Sequence, residues 1–343
     1  MKSVKGRAVS MYALLIGLNG GAWLWALTAF RHHPVLLGTA FLAYAFGLRH
    51  AVDADHIAAI DNVTRKLMQQ GKRPVGVGFF FSLGHSTIVF GLSAAIALTS
   101  VALKDRFSAF ESIGGIIGTS ISAFFLLAIA AANLIILLSV FRTFCHVKQG
   151  GSFVDEDLDL ILSQRGFFGR IFRNLFRLIE HSWQMYPVGF LFGLGFDTAT
   201  EVGLLGISAT EATRGLSMWS ILVFPTLFMA GMALVDSTDS ILMLGAYGWA
   251  FLKPIRKLYY NMTITFVSVL VALMVGGIEV LGLIGDHFKT HGAVWSAIGS
   301  LNDNFGMVGF AIIGVFVLSW AASLLIYRVN RYDEIEVNAG PVE

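Results

Sequence analysis

Apolar residues recur along the chain in unbroken runs of more than about 18, the length a helix needs to cross a bilayer. They do not alternate in the short pattern of membrane strands. Eight runs stand out, over roughly residues 9–30, 35–60, 74–100, 113–140, 187–207, 218–246, 262–284 and 305–327. The pattern predicts an all-α, polytopic membrane protein with eight transmembrane helices, organised as one transmembrane domain over 1–343. The ten residues before the first run are basic, but that run is long enough to span. It reads as a first helix rather than a cleavable signal peptide. One polar interval is long: 141–186 starts acidic and ends as a basic amphipathic stretch, the pattern of a helix lying on the lipid surface.

Charge orients this frame. Of the Lys and Arg residues, 18 fall on one side of the eight runs and 5 on the other, with Arg49 inside a run. The richer side holds the N-terminus, the turn with Arg65, Lys66, Lys72 and Arg73, the 141–186 loop and the C-terminal tail. The positive-inside rule makes that side cytoplasmic. The expectation is an integral cytoplasmic-membrane protein with both termini and the 141–186 loop in the cytoplasm. An odd number of spans would scramble the asymmetry.

Composition narrows the classes. Charged residues make up 13% of the chain, about half the usual ~25% of soluble domains. Mean hydropathy is +0.72. A net charge of +2 is too small to argue for a nucleic-acid partner. The single cysteine, Cys145, excludes a disulfide framework and a cysteine-rich metal site. No phosphate-binding P-loop occurs, so no nucleotide is expected. No cofactor box is needed either: the many Phe residues suit lipid contact and packing.

Against this background the segment Leu48 to Asp61, "LRHAVDADHIAAID", is anomalous. Seven residues of fixed charge fall inside runs: Arg49, Asp53, Asp55, Asp197, Glu201, Asp236 and Asp239. His50, His56 and His85 join them. At roughly 3 kcal/mol each, seven unpaired charges would cost about 21 kcal/mol. They must be paired, protonated or bound to something, and must face the bundle interior.

Helical spacing says which groups cooperate. Asp197 and Glu201 are i, i+4, and Asp236 and Asp239 are i, i+3, so each pair shares a face. Arg49 and Asp53, also i, i+4, can form an internal ion pair. On a straight helix His50, Asp53 and His56 fall within about 120° of one another, while Asp55 points nearly the opposite way. A break beside Gly47 would let all of them approach one ion, and discontinuous helices are a recurrent device at buried ion sites. Imidazole with carboxylate suits a divalent transition metal, whereas Mg²⁺ or Ca²⁺ would draw on oxygen alone. The alternative for each histidine is a hydrogen-bonded packing role, which is strongest for His85 taken alone.

Short internal matches point to one central site. "FGLRHAVDADH" in the second run resembles "FGLGFDTATE" in the fifth, and "GHST" in the third resembles "DST" in the sixth. With both termini inside, the matched runs cross in opposite directions. This suggests inverted three-helix repeats with a midplane site at their interface.

At these residues the chain resembles the nickel/cobalt transporter family of eight-span metal permeases. The family's second-span signature, H-x4-D-H, is matched by His50, Asp55 and His56 in "RHAVDADHI". Its other signatures are matched by "LGHST" with His85, "LGFDTATE" with Asp197 and Glu201, and "GMALVDSTD" with Asp236 and Asp239. Ser237 stands where the family usually has threonine, which keeps the hydroxyl. The resemblance implies high-affinity, low-capacity uptake of Ni²⁺, sometimes also Co²⁺, with the second-span motif essential. It stresses Asp55, where helical geometry stresses Asp53; both are kept.

The sequence thus predicts a secondary transporter, not an enzyme, that carries a divalent transition-metal ion through the bilayer as its substrate. His50, Asp55 and His56 are the expected ligands, with His85 the fourth. Asp53, Asp197, Glu201, Asp236, Asp239 and Arg49 are the expected supporting groups. Two rivals are an intramembrane metalloenzyme, against which stands the absence of H-E-x-x-H, and a haem-bearing electron-transfer subunit. A transporter preferring another divalent metal is a third. His32, His33, His287 and His291 read as residues of solvated outer loops, and Glu279, near the outer end of the seventh run, as within reach of water.

Overall fold

The second apolar run is not one helix. In the computed structural model, which describes residues 4–99, 104–148, 179–194, 199–250 and 254–329, it divides into α2 (Pro34–His50) and α3 (Ala54–Gln69), bent by 52° across Ala51–Asp53. The other elements, in chain order, are α1 (Val4–Phe30), α4 (Val77–Thr99), α5 (Lys104–Lys148), α6 (Met185–Phe192), α7 (Ala199–Thr213), α8 (Met218–Ile221), α9 (Val223–Ala250), α10 (Pro254–Phe288), α11 (Ala293–Asp303) and α12 (Phe305–Val329). No strand occurs among the described residues.

Six helical stretches are long and apolar enough to cross a membrane, and the bent α2–α3 pair makes a seventh. The expected fifth span, 187–207, is not recovered as one membrane-long helix. Its described parts are α6, 8 residues, and α7, 15 residues, each shorter than the roughly 20 residues a bilayer requires. The amphipathic stretch of the 141–186 loop lies for the most part outside the described residues.

Burial follows membrane logic. Val9, Ile16 and Leu24 on α1, and Phe310, Val317, Leu318 and Leu325 on α12, point outward. Water would penalise such a surface; lipid does not. The polar residues are inside. On α3 every residue from His56 to Met68 is buried, although the helix carries Asp61, Asn62, Thr64, Arg65 and Lys66. This corrects the sequence reading, which ended the second span near residue 60 and placed Arg65 and Lys66 in a turn. Arg65 instead donates to Asp61 (Nη2 to Oδ2, 2.8 Å), and Lys66 donates to the Ile179 carbonyl (3.0 Å). Asn133 of α5 donates to Asn62 (2.6 Å). Glu279 is likewise buried rather than wetted, and accepts a hydrogen bond from Ser122 at 2.8 Å.

Two helix crossings are built alike. On α2, Tyr44 and Gly47 meet Phe228 and Gly231 of α9; on α6, Tyr186 and Gly189 meet Phe81 and Gly84 of α4. At all four glycines a Cβ would run into backbone atoms of the facing helix, so the backbones touch in the small-residue mode of membrane helices. This supports the expected internal repeat but moves its register. Gly47 corresponds to Gly189, one turn before the Gly193 that the sequence match aligns with it. Gly84 likewise corresponds to Gly231 rather than to Val235. Sequence similarity followed the polar motifs, whereas the fold repeats its packing contacts.

The glycines at the centre make a test. A Cβ on Gly78 of α4 would fall on the Asp236 carbonyl oxygen, which no rotamer change can clear. Gly91, on the same helix, has nothing within 4 Å. Gly78→Val is expected to lower the midpoint of thermal unfolding in detergent by about 5 °C or more, and Gly91→Ala to leave it unchanged. Thermal unfolding of the two purified variants measures both. Equal midpoints would show that this close approach is dispensable.

Candidate metal centre

The break between α2 and α3 builds the centre. The last turn of α2 closes through Ala51 N–H to the Gly47 carbonyl, and Asp53 N–H returns to the His50 carbonyl at 2.9 Å. Asp53, extended at φ −66° and ψ 148°, then starts α3. Its carboxylate does not cap the helix. It turns back to His50, with Nδ1 to Oδ2 at 2.9 Å. Arg49, its side chain 40% exposed, reaches the other oxygen of Asp53 at 3.5 Å. The expected ion pair therefore exists, but it is long and shares its acid with a histidine.

The bend brings His56, one turn into α3, beside His50, and α4 adds His85. The three rings lie with centroids 4.6, 4.8 and 4.9 Å apart. One nitrogen from each can be chosen so that all three lie within 4.8 Å of one another, and all three residues are buried. His50 Nε2 and His85 Nε2 are 3.0 Å apart. Two nitrogens bound at about 2.1 Å and a right angle to one ion would be separated by about 3.0 Å. The ring of Phe81 meets His56 edge-on at 4.8 Å, and Phe228 lies 5.5 Å from His50. These apolar walls keep the cluster dry, which strengthens every charge interaction within it.

Each imidazole has an acid. Asp53 holds His50, and Asp236 of α9 lies 3.4 Å from His56 Nδ1 through both of its oxygens. Glu201 of α7 approaches His85 Nε2 at 2.8 Å and His50 Nε2 at 3.8 Å. A ring that donates its Nδ1 proton to a carboxylate presents its Nε2 lone pair on the opposite edge. His50 and His56 both fit this pattern, and His56 Nε2 is buried without a hydrogen-bond partner. Around His85 the polar edges crowd together. Glu201 Oε1 and His50 Nε2 both face its Nε2, an arrangement that one proton or one cation can bridge. Imidazoles surrounded by acids, in a dry site, have the donor set and charge of a receptor for a divalent transition metal.

The other sequence candidates lie around this core. Asp55, in the first turn of α3, stands outside the three-histidine group; its Oδ1 is buried without a hydrogen-bond partner. Asp239 lies one turn beyond Asp236, with Oδ2 also unpartnered. Asp197 falls outside the described residues. Thr200, which sequence reasoning passed over, places Oγ1 3.3 Å from His50 Nδ1. Its position beside Glu201 was the available signal. His32, His33, His287 and His291 are exposed and take no part in the cluster.

Comparison with known proteins agrees with this chemistry. The family model described as high-affinity nickel-transport protein matches residues 36–326. A high-affinity nickel transport protein of Cupriavidus necator is 62% identical over 98% of this chain and 95% of its own length. The nickel transporter NixA of Staphylococcus aureus is 44% identical over 93% of each chain. A cobalt transport protein, NhlF, of Rhodococcus rhodochrous is 43% identical over 86% of this chain and 84% of its own. No solved structure matches the chain.

Proposed function

Because the chain belongs to the high-affinity nickel-transport family, we propose that it is a permease that imports Ni²⁺, and also Co²⁺, across the cytoplasmic membrane through the three-histidine centre. The observation that carries the reading is the convergence of His50, His56 and His85 from three helices inside one dry, acid-lined cluster. The ion exchanges its water for imidazole nitrogen, with Asp55 at the edge of the cluster as a further oxygen ligand. Asp53, Asp236 and Glu201 orient the rings and supply negative charge. Asp239 extends that charge along α9 and Arg49 trims it at Asp53, while Asp197, outside the described residues, keeps the supporting role that its motif assigns. The termini and the 141–186 loop face the cytoplasm, in keeping with the positive-inside asymmetry.

A transporter of this kind performs no covalent step, and its work is displacement along a charge gradient. A dication entering down a potential of 100 mV gains about 4.6 kcal/mol, roughly a 2,000-fold accumulation. Membrane potential alone is therefore sufficient to drive uptake. The test is a sealed vesicle holding the purified protein and a fluorescent chelator, with Ni²⁺, Co²⁺ and Zn²⁺ compared with and without an imposed potential, inside negative. Entry of Ni²⁺ and Co²⁺, faster than Zn²⁺ and accelerated at least tenfold by the potential, is expected. Entry no faster than into protein-free vesicles would refute the reading.

A further inference from the structure

Below the histidines, α3 and α9 run side by side in the same sense. His56 meets Asp236, and farther along both helices Asp61 lies within electrostatic reach of Asp239, which is in turn within reach of Asp236. Helical rise puts Asp61 about 7.5 Å and Arg65 about 13.5 Å beyond His56 along α3. With the orientation proposed above, this direction leads to the cytoplasm. A file of acids therefore continues inward from the centre, and it ends on a cation: the Arg65 guanidinium, 2% exposed, donates to Asp61, 0% exposed, at 2.8 Å.

The rest of the local charge makes Arg65 distinctive. Asp53, Asp55, Asp61, Glu201, Asp236 and Asp239 are the carboxylates of the centre and the file among the described residues, and Glu180 lies within electrostatic reach of Lys66. Arg49 answers Asp53 from a part-exposed position, and Lys66 is committed to the Ile179 carbonyl. Arg65 is thus the buried guanidinium facing the inner end of the acid file. A buried ion pair is poor value as a packing element, since apolar side chains of similar size would serve as well. In a membrane interior such a pair is better explained by the route of a charged substrate.

We propose that the Asp61–Arg65 pair is the inner gate of the nickel route, a reading that rests on the transport function above. While the pair is closed, the guanidinium holds the carboxylate that the ion needs next, and its like charge repels an ion leaving His56 and Asp236. A dication that reaches Asp239 competes, with twice the charge, for Asp61. When it wins, Arg65 swings away and the ion passes; when it has left, the pair reforms. Asp61 and Arg65 position the ion's exit and do not belong to the histidine centre.

The test uses the full-length protein, with Ni²⁺ affinity measured by calorimetry in detergent. Uptake, and leak of preloaded Ni²⁺ at zero potential, are measured in vesicles. All variants should bind Ni²⁺ within about threefold of the parent. Asp61→Asn, which strands the guanidinium in the route, should slow uptake about tenfold. Arg65→Gln should raise the leak about fivefold. The double variant should recover uptake to within about threefold of the parent, because the stranded cation is gone. A merely structural pair predicts the reverse: matching losses of thermal stability in all three variants and no recovery in the double. Uptake by Asp61→Asn at the parent's rate, or a parental leak in Arg65→Gln, overturns the gate. Should the neutral variants fail to fold, Arg65→Lys keeps the charge but grips Asp61 through one point rather than a fork. It should at least double the leak, and an unchanged leak overturns the proposal. If the parent itself neither binds nor moves Ni²⁺, the transport reading has failed and the gate falls with it. If the parent transports and only the variants disobey, the gate alone has failed.

Discussion

His50→Ala is expected to abolish nickel uptake, lowering it by about 100-fold or more at unchanged membrane abundance. His50 occupies the point where most groups of the centre meet. Its Nδ1 takes Asp53 and Thr200, its Nε2 faces His85 and Glu201, and its ring lies against His56 and Phe228. Loss of a group that only orients a metal ligand typically costs 10–100-fold in metal affinity, and loss of the ligand itself should cost more. Alanine also leaves Asp53 and Glu201 without the imidazole that lies between them. The measurement is radioactive nickel uptake by cells, normalised to the amount of protein in the membrane. His291→Ala, in an exposed turn, is the control and should transport normally. Uptake by His50→Ala within threefold of the parent would remove this residue from the site, and with it the centre described here.

Much of this centre was legible before any coordinates. Hydropathy set charge against lipid, and a dry interior leaves charges no option but to converge. That is why the sequence groups His50, His56, His85, Glu201 and Asp236, drawn from separate runs, and the structure places these side chains against one another. Where the chain breaks was harder to read. Gly47 looked like the weak point, yet it remains helical and serves to admit the Phe228 carbonyl; the bend comes at Ala51–Asp53. Gly309 of α12 receives it, since a Cβ there would land on the Val52 carbonyl. Nothing in the local sequence of α2 announces a partner some 250 residues away. The depth of α3 was illegible for a related reason. Hydropathy measures affinity for lipid, and α3 is buried by protein. A polar helix wrapped by α4, α5, α9, α10 and α12 scores like a loop. The i, i+4 spacing of Asp61 and Arg65 was the available sign that it continues.

The contest between Asp53 and Asp55 shows how two kinds of inference divide. Helical geometry favoured Asp53, and the structure gives it the 2.9 Å contact with His50. Family resemblance favoured Asp55, and the structure leaves its Oδ1 buried without a partner at the edge of the cluster. The two are not rivals. An acid already engaged by an imidazole is suited to hold that ring, and one with a buried, unmatched oxygen is suited to meet an incoming cation.

That division makes the acids separable by experiment. Asp53→Asn and Asp236→Asn should each weaken Ni²⁺ binding by about 10–100-fold, and together by an amount that departs from the product, since the two rings they hold meet at one centre. Asparagine keeps the shape and removes the charge. It can also turn its amide N–H₂ toward Nδ1, which forces the ring proton onto Nε2, where the metal must bind. Asp53→Asn should be the costlier of the two, because its 2.9 Å contact is tighter than the 3.4 Å contacts of Asp236 with His56. Asp239→Asn provides the contrast: it removes the same unit of charge one turn farther along α9 but touches no imidazole. If the acids act by fixing ring protons, Asp239→Asn should lose less than tenfold in affinity. If they act only as a pool of negative potential, all three single variants should weaken binding alike. Calorimetric titration of the four purified variants with Ni²⁺ at one pH distinguishes the two. Equal losses would mean that the carboxylates attract the ion without orienting the rings that hold it.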